Sequence, residues 1–378
     1  MHGLKILCLN VGILGLRLVY AVFKLFPQKN KVVFVSRQSN KPSVDYKLIE
    51  EELKRVSPET EVVMLTKKLE KSISGLIGYC LHLLAQLFHF ASAKAVLTDS
   101  YCLGISLVNH KDNLLIVQIW HAIGCMKKFG YAMIGQEEGS SEDIAKAMRM
   151  HHNYDYALIS SFSFIRDYLE GFQIEREKIL QIPLPKADVL SDETWRNAQR
   201  ENLMSKYPVL GDKKNILYCP TFRKGETDST GIMDLIQLVD FEKYSFIYKP
   251  HPLSEMKVED ERILRFDEPT MELLPIADYV ISDYSSVIYE AGLVGVPVYL
   301  YGYDWQDYSQ RRSFNLDLTK DVPTIFAEKP EPIIEAIEQN KFDYENFKEF
   351  IKDNVVIPEE GCTKAIVNLI LNGKRSVN

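Results

Sequence analysis

The sequence contains no CxxC pair. Its six cysteines, Cys8, Cys80, Cys102, Cys125, Cys219 and Cys362, are scattered singly along 378 residues. That spacing excludes the common zinc and dithiol motifs and reads as free thiols in a reducing compartment. Positive charge is not in excess either: a net charge of −7 argues against a nucleic-acid partner, which requires a basic face. No uninterrupted apolar run opens the chain. Lys5, Asn10, Arg17 and Lys24 break up the stretch from Leu4 to Phe26, which excludes a signal peptide and makes a poor membrane span. Acidic residues are missing locally, with none before Asp45, whereas Lys5, Arg17, Lys24, Lys29, Lys31, Arg37 and Lys41 all precede it. A basic amphipathic helix lying in an anionic membrane surface fits this pattern, and an ordinary core helix is the alternative. Finally, there is no Asp-x-Asp or other compact metal site, no internal repeat and no low-complexity tract. No metal or cofactor is therefore expected.

What is present is a globular composition, 46% apolar and 26% charged, in a chain long enough for two domains. Short apolar runs such as Val32–Ser36, Val62–Thr66, Ala95–Asp99 and Leu114–Trp120 alternate with helix-like stretches such as Tyr46–Arg55. The alternation restarts at Ile216–Cys219 and continues through Phe246–Lys249, Tyr279–Ser282 and Val298–Tyr301. This pattern predicts an α/β fold of two doubly wound, Rossmann-like domains with parallel sheets. The expected division is a membrane-associating segment 1–30, a first domain 31–190 and a second domain 191–378, with the last helix able to return to the first domain. Such domains facing one another across a cleft form the architecture called GT-B, with ligands at the carboxyl ends of both sheets. The stretch Ser72–Ala93 is apolar nearly all round, so it is either deeply buried or a second membrane contact.

Function is expected at the strand ends. Ser285 and Ser286 follow an apolar strand and open the helical pattern Val287–Val294, where unpaired N–H groups and the helix dipole favour a phosphate. Plain N-capping by serine is the alternative. Glu290, one turn on, is in reach of a ribose, although an isolated Glu is more often a surface residue. Lys249 and His251, held between Pro250 and Pro252, end another strand, and Arg223 follows a third. Cations at neighbouring strand ends suit a diphosphate. In the first domain, His121 ends the strand QIWH and precedes a Gly-containing turn. Histidine is the usual base for activating a hydroxyl, and a structural histidine is the alternative.

Taken in order, QIWHAIGCMKKFG at 118–130, LPKADVL at 184–190, YCPTFR at 218–223, YKPHP at 248–252, LLPIADYVISDYSS at 273–286 and YGYDWQDY at 301–308 resemble the glycerophosphotransferase family of teichoic-acid synthesis. The resemblance implies transfer of glycerol phosphate from CDP-glycerol to a polyprenyl-diphosphate-linked saccharide, with release of CMP, by a peripheral protein at the cytoplasmic membrane face. His121 carries over as catalytic base, and Arg223, His251, Ser285 and Ser286 as contacts to the donor phosphates. Two departures, Lys186 after Pro185 and the Gln306–Gln310 run before Arg311 and Arg312, touch the identity of polyol and acceptor. The alternatives are a CDP-ribitol-dependent enzyme, a nucleotide-sugar glycosyltransferase of the same fold and a non-catalytic membrane scaffold.

Overall fold

Continuous apolar runs of a few residues mark strands buried on both faces, and in a computed structural model of the chain they build two parallel sheets. The structure describes residues 2–69, 72–223, 229–254, 256 and 258–373; the side chains of residues 2–8, Lys5 among them, and of residue 73 lie outside that description. The first sheet holds β1 (Lys31–Ser36), β2 (Glu61–Thr66), β3 (Ala95–Thr98), β4 (Leu115–Gln118), β5 (Tyr156–Ile159) and β6 (Ile179–Gln181), in the order β2-β1-β3-β4-β5-β6. The second holds β7 (Lys214–Tyr218), β8 (Tyr244–Tyr248), β9 (Ile263–Leu264), β10 (Tyr279–Ser282), β11 (Val298–Tyr301) and β12 (Phe326–Ala327), in the order β12-β11-β10-β7-β8-β9. Neighbouring strands run parallel in both sheets. The strand order reverses between β1 and β3 in one sheet and between β7 and β10 in the other. Those are the switch points at which doubly wound sheets bind ligands.

The chain divides into two compact units, Met1–Ala122, Lys128–Asp188 and Val356–Asn378 against Ile123–Lys127 and Val189–Val355. This differs from division at 190 in three places. The segment 1–30 belongs to the first unit, because helix α1 (His2–Phe23) buries Ile13 and Tyr20 there. The Tyr20 hydroxyl bonds His110 Nδ1 at 2.8 Å, and Arg17 Nε donates to the Leu107 carbonyl at 2.9 Å. The C-terminal stretch also joins the first unit. Its helix Cys362–Asn372 packs on α2 (Val44–Val56), and the Asp188 carboxylate accepts the N–H groups of Cys362 and Thr363 at 2.7 and 2.8 Å. Two otherwise orphaned donors of the helix start are thereby satisfied. The five residues Ile123–Lys127 join the second unit. Gly124 is left-handed there, and a Cβ on it would come within 2.2 Å of the Tyr289 ring. The Asn315 N–H bonds the Met126 carbonyl at 2.9 Å, and Lys127 bridges to Phe314.

Helix α3 (Ile73–Ser92) packs beside α1 through Phe88, which meets Phe23 and Phe26 edge-on at 5.6 and 6.0 Å. Both helices are two-faced. They bury Ile13, Tyr20, Tyr79, Leu83 and Leu87 but expose Val11, Leu14, Leu18 and Val22 on α1 and Leu76, Ile77 and Leu81 on α3. One described helix, Ser74–Ser92, is long and apolar enough to cross a membrane, and a third of it is buried in the protein.

Replacing the Asp188 side chain, Asp188→Ala, should lower unfolding free energy by about 1–2 kcal/mol, read as a lower midpoint in urea. An unchanged midpoint would mean that apolar contacts alone hold the C-terminal helix.

Candidate active site

In the first unit, polar groups cluster where β1, β3 and β4 end. Beyond β4 the backbone turns through Trp120, whose φ of +63° is left-handed, a costly conformation for a bulky residue. A buried hydrogen-bond chain sustains it. The Trp120 N–H donates to Gln118 Oε1 at 2.9 Å, and Gln118 Nε2 donates to the Tyr154 hydroxyl at 3.1 Å and to the Ser100 carbonyl at 3.2 Å. The Tyr154 hydroxyl in turn reaches His151 Nδ1 at 3.1 Å. Burial, and secondarily the charge of Arg37, holds the His151 pKa down at about 3, so His151 is a neutral acceptor. The Trp120 ring is clamped against Phe129 at 4.6 Å and Phe172 at 5.4 Å and lies 4.4 Å from the His121 ring.

His121 is thereby aimed. Its Nδ1 lies 2.9 Å from the Asp99 carbonyl, which can only accept, so Nδ1 carries the proton and Nε2 keeps its lone pair. The ring's outer edge is exposed, but dense protein around it disfavours the imidazolium. That desolvation, with the charge of Lys186, outweighs the Asp99 carbonyl and keeps the pKa below the ordinary value. Beneath it, burial raises the Asp99 carboxyl to about 6 against the opposing bonds from Ser36 and Ser100.

In the second unit the loops after β7, β8, β10 and β11 meet around a buried ion network. The Arg223 guanidinium holds Asp304 in a two-pronged grip, Nε at 2.6 Å and Nη2 at 2.7 Å, and Asp283 through Nη1 at 2.9 Å. Burial opposes the charge on Arg223, but Asp283 and Asp304 more than offset it and raise its pKa. Asp304 also accepts the Tyr284 hydroxyl at 2.9 Å, and burial is outweighed there by Arg223, so its pKa is lowered. Asp283 accepts the N–H groups of Thr221 and Tyr284 at 2.9 and 2.6 Å. Arg223, expected from the sequence as a direct contact to donor phosphates, is therefore buried and engaged by two carboxylates. Its place is that of an organiser of the loops.

The remaining residues are distributed as follows. Lys249 is half-buried, with Nζ on the Phe266 carbonyl at 3.0 Å. His251 is exposed beside Phe222, and its Nδ1 accepts the Leu253 N–H at 3.2 Å. Ser286 precedes the helix Val287–Val294 without making a capping bond, while Ser285 Oγ accepts the Val287 N–H at 3.3 Å. Glu290 is buried rather than superficial, at 8% exposure. Burial pushes the Cys219 thiol upward, and the charges of Glu290, Lys249 and Asp283 are each close enough to act on it.

Sequence reasoning passed over Asp283, Asp304, Asp99, Gln118 and Trp120. For the aspartates a signal existed, since each lies at or just beyond the end of an apolar strand where a charge must find a partner. For Trp120 there was none, because a left-handed tryptophan has no sequence signature.

With that geometry in place, residues 18–372 match the family CDP-Glycerol:Poly(glycerophosphate) glycerophosphotransferase, and the chain belongs to that family. It is similar to the teichoic acid ribitol-phosphate primase of Bacillus spizizenii (strain ATCC 23059 / NRRL B-14472 / W23), at 31% identity over 83% of each chain. It is also similar to the teichoic acid glycerol-phosphate primase of Bacillus subtilis (strain 168), at 28% identity over 71% of each. The solved structure of a variant of the wall teichoic acid polymerase TagF has the same fold, with a TM-score of 0.75 and 18% identity over 98% of this chain and 96% of that one. The fold class is GT-B, as the alternating pattern predicted.

Because Arg223 joins three loops, Arg223→Gln should destabilise the protein by about 3–5 kcal/mol, leaving two buried carboxylates without their cation. Denaturant titration would show it, and a loss below about 1 kcal/mol would mean that the network contributes little to folding.

Proposed function

We propose that this chain transfers a polyol phosphate from a CDP-polyol to a hydroxyl of a polyprenyl-diphosphate-linked saccharide, releasing CMP, in teichoic-acid or related cell-surface polymer synthesis. The observation that carries the reading is the polarity at His121. With Nδ1–H on the Asp99 carbonyl, Nε2 is the basic nitrogen, and a lowered pKa keeps it unprotonated near neutrality. The acceptor oxygen attacks the phosphorus that bears the polyol, its proton passes to His121 Nε2, and the bond from that phosphorus to the CMP oxygen breaks. CMP leaves as a phosphate, so no general acid is required. The role of the second unit is to hold the donor. The His251 ring, the hydroxyls of Ser285 and Ser286 and the N–H groups opening the helix Val287–Val294 offer donors to the diphosphate, and Glu290 an acceptor to the ribose hydroxyls. Arg223 and Lys249 act behind them by holding the loops in shape.

For the polyol, the description of the family favours CDP-glycerol. A second reading, CDP-ribitol, is favoured by the ribitol-phosphate primase, whose match is longer and higher than that of the glycerol-phosphate primase. CMP release with each CDP-polyol and with UDP-sugars decides among them: one CDP-polyol should support turnover with a lipid-linked disaccharide, and turnover on UDP-sugars alone would sink the proposal. In the same assay His121→Ala should lower kcat by about 10²- to 10⁴-fold with donor affinity kept. The acid limb of the kcat/KM profile should fall below pH 6.5, since protonation removes the base only below its lowered pKa. Near-normal turnover of His121→Ala would remove His121 from the mechanism.

The acceptor's lipid calls for a peripheral protein on the cytoplasmic face of the membrane. The exposed apolar faces of α1 and α3, joined at Phe88, together with the acid-free N-terminal stretch, support that reading. Fully burying one leucine contributes about 1.5–3 kcal/mol, so the double change Leu14→Glu and Leu18→Glu should weaken co-sedimentation with anionic vesicles by at least about tenfold. Undiminished binding would place the contact on another surface.

A further inference from the structure

The charge that the mechanism leaves unexplained is Arg37. It follows β1 directly, at the switch point between β1 and β3, and is half-buried. Its Nε is sealed from solvent with no hydrogen-bond partner, and among the described residues no carboxylate pairs with it. Its backbone N–H is tied to Ser100 Oγ at 3.3 Å, and its guanidinium lies 5.4 Å from the centre of the Tyr101 ring. Beside it stands Tyr79 of α3, 3% exposed, whose buried hydroxyl faces the Arg37 side chain closely enough for a hydrogen bond from it to lower the phenol's pKa. The Arg37 charge is close enough to oppose the burial that raises the Tyr79 phenol to about 12.

Native proteins do not leave a partly buried guanidinium unpaired without reason, because an unpaired buried charge is costly. The half-buried Arg37 guanidinium and the Tyr79 hydroxyl can both donate, and Arg37 is a cation. Their complement is an oxyanion. The next residue along the chain, Gln38, has its Nε2 3.4 Å from His121 Nδ1, so the turn after β1 reaches the proposed base. On the reading that His121 activates a lipid-linked acceptor, we infer that Arg37, with Tyr79, binds a phosphate or diphosphate group of that acceptor. Helix α3 explains why a lipid-borne anion fits: one face presents Tyr79 to Arg37, while Leu76, Ile77 and Leu81 on the other are exposed. One helix therefore borders both an oxyanion site and an apolar surface.

The test uses the full-length chain and the variants Arg37→Gln, Arg37→Lys and Tyr79→Phe. KM is measured for three acceptors: a polyprenyl-diphosphate disaccharide, the same disaccharide as an uncharged alkyl glycoside, and that glycoside carrying a polyol phosphate ester. Arg37→Gln should shrink the advantage of the charged acceptor over the uncharged one by about 10- to 100-fold, and Arg37→Lys should shrink it less. Tyr79→Phe, which changes a single oxygen, should shrink it a few-fold. If the loss appears with the diphosphate, the lipid linkage is the source of the anion; if with the phosphate ester, a polyol phosphate already on the saccharide is. An equal loss for all three acceptors, or a weaker CDP-polyol affinity in calorimetry, would overturn the assignment. Binding of inorganic diphosphate needs no turnover and separates this site from the base. It should weaken in Arg37→Gln and persist in His121→Ala; equal binding by wild type and Arg37→Gln would refute the site whatever His121 does.

Discussion

The second unit's polar face depends on one buried guanidinium. Arg223 leaves the loop after β7, Asp283 ends β10 and Asp304 follows β11, and each would be costly to bury alone. Joined, they tie three loops of the sheet to one another, and Tyr284 adds its hydroxyl to the same carboxylate. The loops that carry Ser285, Ser286 and Thr221 are thereby held by charge pairing as well as by the aromatic packing of Tyr284 on Trp305, Tyr308 and Phe314. Preorganisation of this kind lets weak donors, hydroxyls and N–H groups, stabilise developing charge without rearranging.

The first unit solves a different problem with neutral groups. A left-handed tryptophan is held by a buried amide, a phenol and a neutral histidine, each satisfying the next. A fully connected neutral network avoids the desolvation cost of ions and fixes direction as well as position. Direction is set at His121 as well, since one hydrogen bond to a carbonyl decides which ring nitrogen carries the proton. The same unit joins to this polar interior a pair of helices whose outward faces are apolar. The seven basic residues before Asp45 therefore divide in role: Arg17 anchors α1 on a carbonyl, and Arg37 stands at a switch point.

Much of this was legible in the residues. Runs such as VVFVS and YVIS are strands because only a buried parallel sheet accommodates them, and their alternation with helices dictates doubly wound topology. The polar words that interrupt them, QIWH, YCPTFR, SDYSS and YGYDW, mark strand ends for the same reason, so the sequence alone located the loops at the strand ends and the family. These are local properties, carried by neighbours within a turn or a strand.

What the tertiary structure alone decided is which of those groups pair. Asp99 with His121, Arg223 with Asp304 and Asp188 with Cys362 are 22, 81 and 174 residues apart. At such separations spacing carries no signal, because the contact is set by how strands are ordered in a sheet and not by distance along the chain. That is why Arg223 could be read from the sequence as a phosphate contact and is found between two carboxylates. It is also why the C-terminal helix could be counted with the second domain and is capped by an aspartate of the first. Arg37 follows the same logic in reverse: only the folded arrangement, which among the described residues pairs no carboxylate with it, makes its charge conspicuous.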